Sequence, residues 1–225
     1  MGNKKLSIVK IGGNVIENET ALLSFLDNFA QIEGAKILIH GGGKEATKLS
    51  QKLGIATQMV EGRRITDKDT VDIITMVYGG LINKRIVSQL QARNCNALGF
   101  SGADGNTILS EKRPVADIDY GFVGDVKQVN GPFIDVLLQN GITPVFCAIT
   151  HDKKGQLLNT NADTVASEVA IAMSQFYETS LYYCFEKQGV LHNEKLIKEI
   201  NSFSYKHLIA KQIVTNGMIP KLDNA

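Results

Sequence analysis

Two short stretches organise this chain: IVKIGG at residues 8–13 and ILIHGGG at residues 37–43. Each is a strand-like apolar run with a polar residue, Lys10 or His40, just before a glycine cluster. Glycines after a strand let the backbone turn tightly and bring bare N–H groups close to a ligand, so both stretches predict a phosphate site. Neither fits G-x-x-x-x-G-K-[ST] or G-x-G-x-x-G, and Glu45 stands where the first pattern requires Ser or Thr. The two commonest nucleotide-binding folds are therefore not expected.

The composition is that of an ordinary globular protein. Of 225 residues, 44% are hydrophobic and 21% are charged, so the chain can bury a substantial core. The net charge of +1, without a basic face, argues against a nucleic-acid partner. No run approaches about 18 apolar residues, so no membrane association is expected. The 3 cysteines are odd in number and far apart, which predicts a reducing cytoplasm and no paired metal motif.

Strand-like runs alternate with helix-length amphipathic segments along the chain. The candidate strands are residues 6–11, 36–39, 96–99, 143–148 and 180–185. The candidate helices are residues 20–32, 44–52 and 67–93, and one from Asn161 or Asp163 to about Phe176. This alternation predicts an α/β fold with an open, mainly parallel sheet sandwiched between helices.

Two segments add detail to this expectation. Thr66 is the predicted N-cap of the long helix, which we expect to break near Gly79 and Gly80. Residues 107–129 are rich in turn residues and short alternating runs, which predicts a β-hairpin insertion. No low-complexity linker is visible, so residues 1–225 are expected to form a single domain with a cleft between lobes.

Lys10 is the first candidate for chemistry. It lies near the end of a predicted buried strand, where an unpaired ammonium group is costly, so it needs an anionic partner. That partner is either a core carboxylate or a bound phosphate, and Gly12 and Gly13 favour the phosphate.

The second glycine cluster and a nearby arginine pair offer further anion contacts. Gly41, Gly42 and Gly43 precede a predicted helix, whose positive N-terminus suits carboxylate or phosphate oxygens, although a tight structural turn has the same pattern. Arg63 and Arg64 lie in a loop, where an arginine can hold a carboxylate with two hydrogen bonds. Two exposed arginines are the simpler alternative.

The segment around residues 159–163 combines two amides with a carboxylate at a predicted helix start. An N-cap explains one of Asn159, Asn161 and Asp163 but not all three, so ligand contacts or orientation of lysines are favoured. Lys221 follows Pro220 near the C-terminus and gains interest only if the fold brings it opposite Lys10.

Together these segments resemble the amino-acid kinase family over nearly the whole chain. The matching motifs are Lys10 with Gly12-Gly13, residues 40–43, Gly62-x-Arg64-x-Thr66, residues 72–74, the hairpin around Gly124, residues 159–163, and residues 217–221. The resemblance implies an eight-stranded sheet, with an acyl-glutamate bound by an N-terminal lobe (about 1–175) and ATP by a C-terminal lobe (about 176–225).

The resemblance also implies a reaction, which is transfer of the γ-phosphoryl group of ATP to the side-chain carboxylate of N-acetyl-L-glutamate in arginine biosynthesis. Because a carboxylate is already a nucleophile, catalysis reduces to aligning two anions and neutralising their charge. Mg²⁺ would arrive with ATP as a co-substrate complex, and no prosthetic group or dedicated metal site is expected.

Residue roles follow from the resemblance alone. Lys10 and Lys221 would contact the phosphoryl group from two sides, with Asp163 holding both lysines. Substrate contacts fall to Gly42, Gly43, Arg64 and Asn159. The resemblance assigns the remaining phosphate or nucleotide contacts to Gly12, Gly13, Gly41, Gly189 and Thr215.

The chain departs from the family pattern near its C-terminus. Residues 186–189 read Glu-Lys-Gln-Gly where the family has Asp-Val-x-Gly, and the chain ends four residues after Lys221, so we expect a truncated ATP-binding lobe. Its start close to the first strand predicts a homodimer that arginine does not inhibit. Alternative substrates are N-succinylglutamate, aspartate, glutamate, carbamate or a nucleoside monophosphate, and a different alternative is a non-catalytic ligand sensor.

Overall fold

A computed structural model describes residues 4–60, 62–185, 189–192, 195–211, 213 and 222. It contains two compact units, Met1–Cys184 and Phe185–Ala225. The first unit holds most of the secondary structure. The predicted lobes, with a boundary near residue 175, stay a prediction.

The strands and helices of the first unit alternate for much of its length. Its strands are β1 (Lys5–Ile11), β2 (Ala35–His40), β3 (Met59–Val60), β4 (Arg63–Arg64), β5 (Ala97–Phe100), β6 (Ile108–Lys112), β7 (Gly124–Val129), β8 (Thr143–Cys147), β9 (Ile149–His151), β10 (Leu157–Asn159) and β11 (Glu178–Cys184). Its α-helices are α1 (Gly13–Glu17), α2 (Glu19–Ala30), α3 (Gly43–Lys52), α4 (Lys68–Thr75), α5 (Asn83–Gln91), α6 (Gly131–Gln139) and α7 (Ala162–Met173). A 3₁₀ turn covers Asp104–Asn106, and a π-helical turn, called the π segment below, covers Met76–Ile82.

Five strands form the central sheet, in the order β11-β1-β2-β8-β5. Every neighbouring pair in it is parallel. The carboxyl ends of all five strands therefore lie along one edge, which is where open α/β sheets bind their ligands. This parallel sheet confirms the predicted fold class, and five of the eight strands implied by the resemblance form it in the described ranges.

Side-chain alternation along the strands separates two hydrophobic layers. Val9 and Ile11 of β1 pack with α2, α5 and the π segment, whereas Leu6 and Ile8 pack with residues of α6 and α7. Both faces of the sheet are covered, which explains the nearly continuous apolar run of a parallel strand. By the same alternation, Lys10 shares the α7 side with Leu6 and Ile8.

The predicted hairpin is present and belongs to a second, smaller sheet. Strands β6 and β7 pair antiparallel, and the four-stranded order is β10-β9-β6-β7. Gly121 lies between β6 and β7 with φ of 72°, and a Cβ there would lie 2.2 Å from the Thr66 carbonyl oxygen. The backbone can make this close approach because Gly121 has no side chain.

The long helix corrects two sequence expectations. Asp67, not Thr66, is the N-cap of α4, since its side chain accepts a hydrogen bond from the Thr70 amide. The chain does not break near Gly79 and Gly80 but continues through the π segment into α5. A π turn accommodates one additional residue, so the helix continues past the glycine pair with its buried side still facing the core.

The second unit is described by itself. It contains β12 (Leu191–His192), β13 (Lys195–Leu196) and α8 (Ser202–Ala210), with β12 and β13 paired antiparallel. The Asn201 side chain caps α8 by accepting hydrogen bonds from the Phe203 and Ser204 amides. Across the ranges that the structure describes, no helix has the length and apolar character needed to span a membrane.

Candidate active site

Neighbouring strands bring the two glycine clusters together. In the parallel pairing of β1 with β2, Ile11 lies opposite His40, so both chains leave the sheet side by side. The Gly12-Gly13 turn and the Gly41-Gly43 loop therefore emerge at the same edge. This adjacency depends on strand order, which the local sequence patterns do not contain.

Lys10 is paired with Asp163 at the start of α7. The lysine Nζ lies 2.6 Å from the Asp163 Oδ1, and the two residues are 9% and 7% exposed. Asn161 caps α7 and accepts a hydrogen bond from the Asp163 amide at 2.7 Å, which fixes the backbone that carries the carboxylate. Lys10 is thus paired with a core carboxylate, and the phosphate contact favoured from the sequence stays a prediction. Asn161 caps the helix while Asp163 holds the lysine, so the two residues have separate roles.

The neighbouring strand β11 completes the surroundings of Lys10. Tyr183 lies opposite Lys10 in the register, and its hydroxyl donates to the Asp163 carbonyl oxygen at 3.4 Å. Burial, with a smaller contribution from the Asp163 carboxylate, raises the pKa of Tyr183 to about 12. Burial also raises the pKa of the Cys184 thiol, although the charge of Lys10 acts in the opposite direction. Both groups are therefore neutral near pH 7.

Gly12 and Gly13 are not equivalent in the structure. The Gly12 amide donates to the Cys184 carbonyl oxygen at 3.0 Å and so extends the pairing of β1 with β11. A Cβ at Gly13 would meet nothing within 4 Å, so the space in front of it is open. No described residue accepts a hydrogen bond from the Gly13 N–H, so of the two predicted phosphate contacts Gly13 is the one with an N–H available to a ligand.

His40 lies beneath the second glycine cluster. It is 0% exposed, and burial lowers its pKa to about 4, so the imidazole is neutral at pH 7. Its Nδ1 lies 2.8 Å from the Gly41 carbonyl oxygen. A Cβ at Gly41 would lie 3.6 Å from the Ala162 Cβ, which places the loop against the first turn of α7. The Gly41–Gly43 loop and the carboxylate of Asp163 therefore share one region.

Gly42 fits closely against the π segment. A Cβ at this position would lie 2.3 Å from the Ile82 Cδ1 and 2.9 Å from the Tyr78 Cδ1. Tyr78 is buried, and burial raises its pKa to about 12. The π segment therefore packs so closely against Gly42 that this position has no room for a side chain.

Arg64 reaches the same loop from the other side. Its Nη2 donates to the Gly43 carbonyl oxygen at 2.8 Å and to the Thr47 Oγ1 at 2.7 Å, and its Nη1 donates to the Thr57 Oγ1 at 3.3 Å. The residue is 8% exposed. No described Asp or Glu lies within 4.0 Å of its guanidinium nitrogens. The neighbouring Arg63 is exposed, so the structure separates the two arginines that the sequence left equivalent.

Asn159 joins the smaller sheet to Arg64. Its side-chain amide donates to the Thr66 Oγ1 at 3.1 Å, and the Thr66 hydroxyl donates to the Arg64 carbonyl oxygen at 3.2 Å. The Asn159 backbone N–H donates to the Phe122 carbonyl oxygen, which connects β10 to the segment before β7. Two predicted substrate contacts are therefore connected through one threonine.

Several predicted positions lie outside the described residues. These are Thr215, Lys221, the motif at residues 217–221, and residues 186–188. Gly189 is described, within the second unit, with φ of 147°. The roles assigned to these positions by resemblance stay predictions.

The structure also assigns contacts that the sequence patterns did not single out. Lys44, directly after the glycine loop, contacts the Asn14 side chain and lies 3.0 Å from the Glu17 carboxylate, which links α3 to α1. Asn83 is 1% exposed on the sheet-facing side of α5 and lies 3.1 Å from the His40 Nε2. Asn83 could have been singled out from the sequence because it is a polar residue next to the apolar helical stripe of Ile82, Ile86 and Leu90.

Within the part of the chain that the structure describes, no group of three or more His, Cys, Asp and Glu side chains could hold a metal ion. The local chemistry is instead a lysine–carboxylate pair, a buried arginine and a glycine loop. Such an arrangement can bind anions and neutralise charge that develops between them.

The chain has many relatives in sequence and in structure. It is 53% identical to an acetylglutamate kinase of Parabacteroides distasonis, over 99% of this chain and 89% of the relative. It is 55% identical to an acetylglutamate kinase of Cytophaga hutchinsonii, over 99% of this chain and 86% of the relative. A crystal structure of smu.665 from Streptococcus mutans UA159 superposes with a TM-score of 0.83 and 26% identity, covering 98% of this chain and 88% of that one.

The family assignment agrees with this geometry and with the expected motifs. The pattern of the amino acid kinase family matches residues 5–225, which includes both glycine clusters, Arg64 and the Asn161–Asp163 helix start. The resemblance stated from the sequence is thereby confirmed. This chain belongs to the amino acid kinase family.

Proposed function

We propose that this chain transfers the γ-phosphoryl group of ATP to the side-chain carboxylate of N-acetyl-L-glutamate, giving N-acetyl-L-glutamyl 5-phosphate in arginine biosynthesis. Relatives more than 50% identical over nearly the whole chain are named acetylglutamate kinase. The single observation that carries the proposal is the environment of Arg64.

Arg64 is a buried cation whose partners among the described residues are all neutral. Its described hydrogen bonds go to a carbonyl and two hydroxyl groups, and they leave further N–H groups of the guanidinium for a ligand. A buried charge without an opposite charge is costly, so an anionic ligand at this position would be well bound. We assign to it the α-carboxylate of the acyl-glutamate, with Asn159 beside it.

Lys10 and Asp163 supply the charge for the transferring group. In the reaction a carboxylate oxygen attacks the γ-phosphorus, a new O–P bond forms, the bond to the β–γ bridging oxygen breaks, and ADP leaves. Negative charge spreads over the γ-phosphoryl oxygens as this happens. The Lys10 ammonium would stabilise that charge, while the Asp163 carboxylate 2.6 Å away holds the lysine in place. Lys221 is assigned to the opposite side of the same group.

Glycine amides would add hydrogen bonds around the phosphates and the substrate. We assign Gly42 and Gly43 to the substrate, and Gly12, Gly13, Gly41, Gly189 and Thr215 to the phosphates or nucleotide. Gly12 would let the backbone come close to the phosphates without donating a hydrogen bond to them, because its N–H already donates to the Cys184 carbonyl oxygen. ATP would bind as its Mg²⁺ complex, with the ion held mainly by phosphate oxygens.

The proposal is tested by ADP release with a panel of acceptors. N-acetyl-L-glutamate is expected to give the highest kcat/KM, and hydroxylamine should trap the acyl phosphate as a hydroxamate. Higher activity with N-succinyl-L-glutamate would change the acyl group, and activity only with glutamate, aspartate, carbamate or a nucleoside monophosphate would contradict the proposal. A natural full-length chain that binds no ATP analogue by calorimetry would instead be a ligand sensor.

A homodimer belongs to the same proposal. Strand β5 is at an edge of the central sheet and exposes Leu98, and the π segment exposes Met76 and Leu81. Exposed apolar side chains beside an open sheet edge favour burial against a partner. Sedimentation velocity of the full chain is expected to give twice the monomer mass, and a monomer at micromolar concentration would refute it.

We also place the protein in the reducing cytoplasm. Cys95, Cys147 and Cys184 are free, and the first two are buried. Free thiols are typical of a reducing compartment. Localisation of a fluorescently tagged chain in its host would test this.

A further inference from the structure

We propose that Asn83 is a positioning residue, which acts through His40 to orient the Gly41–Gly42 peptide so that the Gly42 N–H is presented to the anionic reactants. This inference rests on the proposed function for its kinetic consequence. The hydrogen-bond geometry behind it does not depend on the identity of the substrate.

Two neighbours fix the side-chain amide of Asn83. Lys84 Nζ, which can only donate, lies 3.1 Å from the Asn83 Oδ1. The Val145 carbonyl oxygen, which can only accept, lies 2.9 Å from the Asn83 Nδ2. The oxygen and nitrogen of the amide are therefore assigned without ambiguity, because the reversed amide would place donor against donor and acceptor against acceptor.

This assignment determines the proton position on His40. The second hydrogen of the Asn83 Nδ2 points to the His40 Nε2 at 3.1 Å, so Nε2 accepts. In a neutral imidazole the other nitrogen then carries the proton. The Nδ1–H of His40 donates to the Gly41 carbonyl oxygen at 2.8 Å.

The last step follows from the geometry of the peptide group. In a planar trans peptide the C=O and the following N–H point in opposite directions. With the Gly41 carbonyl held towards His40, the Gly42 N–H points away from it. No described residue accepts a hydrogen bond from this N–H. The neighbouring carbonyl group of His40, by contrast, is already paired, because it accepts a hydrogen bond from the Ala148 backbone N–H. The orientation of a free donor is thus set by a chain of buried hydrogen bonds.

The surrounding packing gives the network little freedom. A Cβ at Gly99 would lie 1.8 Å from the Asn83 Oδ1 and 2.8 Å from the Lys84 Nζ, so the network fills the space beside β5. Asn83 and His40 are 1% and 0% exposed. Buried polar groups are costly unless all are satisfied, so loss of one partner will redirect its neighbours.

Two substitutions of His40 separate positioning from packing. In His40→Asn the amide nitrogen occupies the place of Nδ1 and can still donate to Gly41, whereas in His40→Gln it occupies the place of Nε2 and cannot. Both variants lose buried contacts, so similar losses of thermal stability are expected. We expect His40→Gln to lower kcat about tenfold or more, because the Gly41 carbonyl is no longer held and the Gly42 N–H loses its orientation. His40→Asn keeps that hydrogen bond, so it should lower kcat less than about threefold.

Asn83→Asp extends the test, because the new carboxylate cannot donate to the His40 Nε2 and favours the opposite imidazole tautomer. The kcat of this variant should fall as it does in His40→Gln.

Gly80→Ala is the matched control in the adjoining π segment, because a Cβ at Gly80 would meet nothing within 4 Å. The kcat of this variant should be unchanged. Equal kcat losses in His40→Asn and His40→Gln, in proportion to their stability, would mean a packing role and overturn the proposal.

A spectroscopic readout separates this inference from the proposed function. Nitrogen-15 NMR of the ligand-free protein should show the Nδ1–H tautomer of His40, and inorganic phosphate or N-acetyl-L-glutamate should shift the Gly42 amide signal. An Nε2–H tautomer would overturn the positioning network even in an active enzyme. Absence of kinase activity with every acyl-glutamate, together with the Nδ1–H tautomer and a shifted Gly42 signal, would refute only the function.

Discussion

The ends of β1 and β2 lie side by side in register, yet they use different chemistry. β1 ends in an ion pair, Lys10 with Asp163, whereas β2 ends in a neutral imidazole held by Asn83. Both are followed by glycines. Charge therefore lies where a phosphoryl group would move, whereas a neutral network lies where a backbone N–H must be oriented.

Removal of Lys10 should have the largest effect. Lys10→Ala is expected to lower kcat about 100-fold or more, because it removes a charge contact made in the transition state. Steady-state ADP release measures it. Lys36→Ala is the matched control, since this buried lysine donates to the Ala30 and Ile32 carbonyls at the opposite end of β2 and should affect stability only. An unchanged kcat in Lys10→Ala would remove the distinction between the two strand ends.

Arg64 should affect substrate binding more than the chemical step. Arg64→Ala is expected to raise the KM for N-acetyl-L-glutamate about 10- to 100-fold, the range for loss of a charge-assisted hydrogen bond of about 1.5–3 kcal/mol. The KM for ATP should stay close to that of the wild type. The exposed neighbour gives a control, because Arg63→Ala should change neither value. A parallel rise in both KM values would argue against a carboxylate clamp.

Gly42 tests the packing of the second strand end. Gly42→Ala places a Cβ within 2.3 Å of the Ile82 side chain, so we expect unfolding by urea to show a loss of about 3 kcal/mol, at the upper end of overpacking. In Gly80→Ala the added methyl group is unobstructed, and stability should rise by up to about 1 kcal/mol. Equal stabilities of Gly42→Ala and Gly80→Ala would show that the π segment moves to accommodate the methyl group at Gly42.

The neutral imidazole predicts a pH dependence of smaller size. Burial lowers the pKa of His40 from 6.5 to about 4, with minor opposition from its bond to Gly41, so the unfolded state binds the proton first. Stability from this group is complete above pH 6.5 and is lost as pH falls towards 4. Between pH 7 and 5 the wild type should lose about 2 kcal/mol more than His40→Asn. Identical pH profiles in urea titrations would contradict the assigned burial.

The local parts of the site could be predicted from sequence. A strand followed by glycines is a pattern within a few residues, and so is the Asn161 cap, which the structure confirms as the start of α7. The choice between Thr66 and Asp67 could not be made in this way, because both residue types cap helices and only backbone conformation decides. Gly79 and Gly80 predict a break because glycine weakens any helix, but packing against the core keeps this segment helical.

The long-range parts of the site required the structure. Asn83 and His40 are 43 positions apart, and Asn83 and Val145 are 62 apart, so no local pattern connects them. Likewise Arg63 and Arg64 differ only in the face of the chain that packs against α3. Strand order and burial, which depend on the whole fold, distinguish such pairs.

The π segment makes the number of residues between α4 and α5 part of the design of the site. A π turn contains one residue more than an α turn, and each residue of an α-helix is rotated by about 100° from the one before it. The π turn absorbs that additional residue, so the buried stripe of α4 continues into α5 on the same side of the helix. If the same residues formed a plain α-helix, α5 would be rotated by about 100°, Asn83 would no longer face Val145, and Ile86 and Leu90 would leave the sheet. Deleting one residue from Met76–Ile82 would instead remove the need for the π turn and leave α5 in place, whereas adding a residue there would rotate α5 and misplace the network beneath the glycine loop.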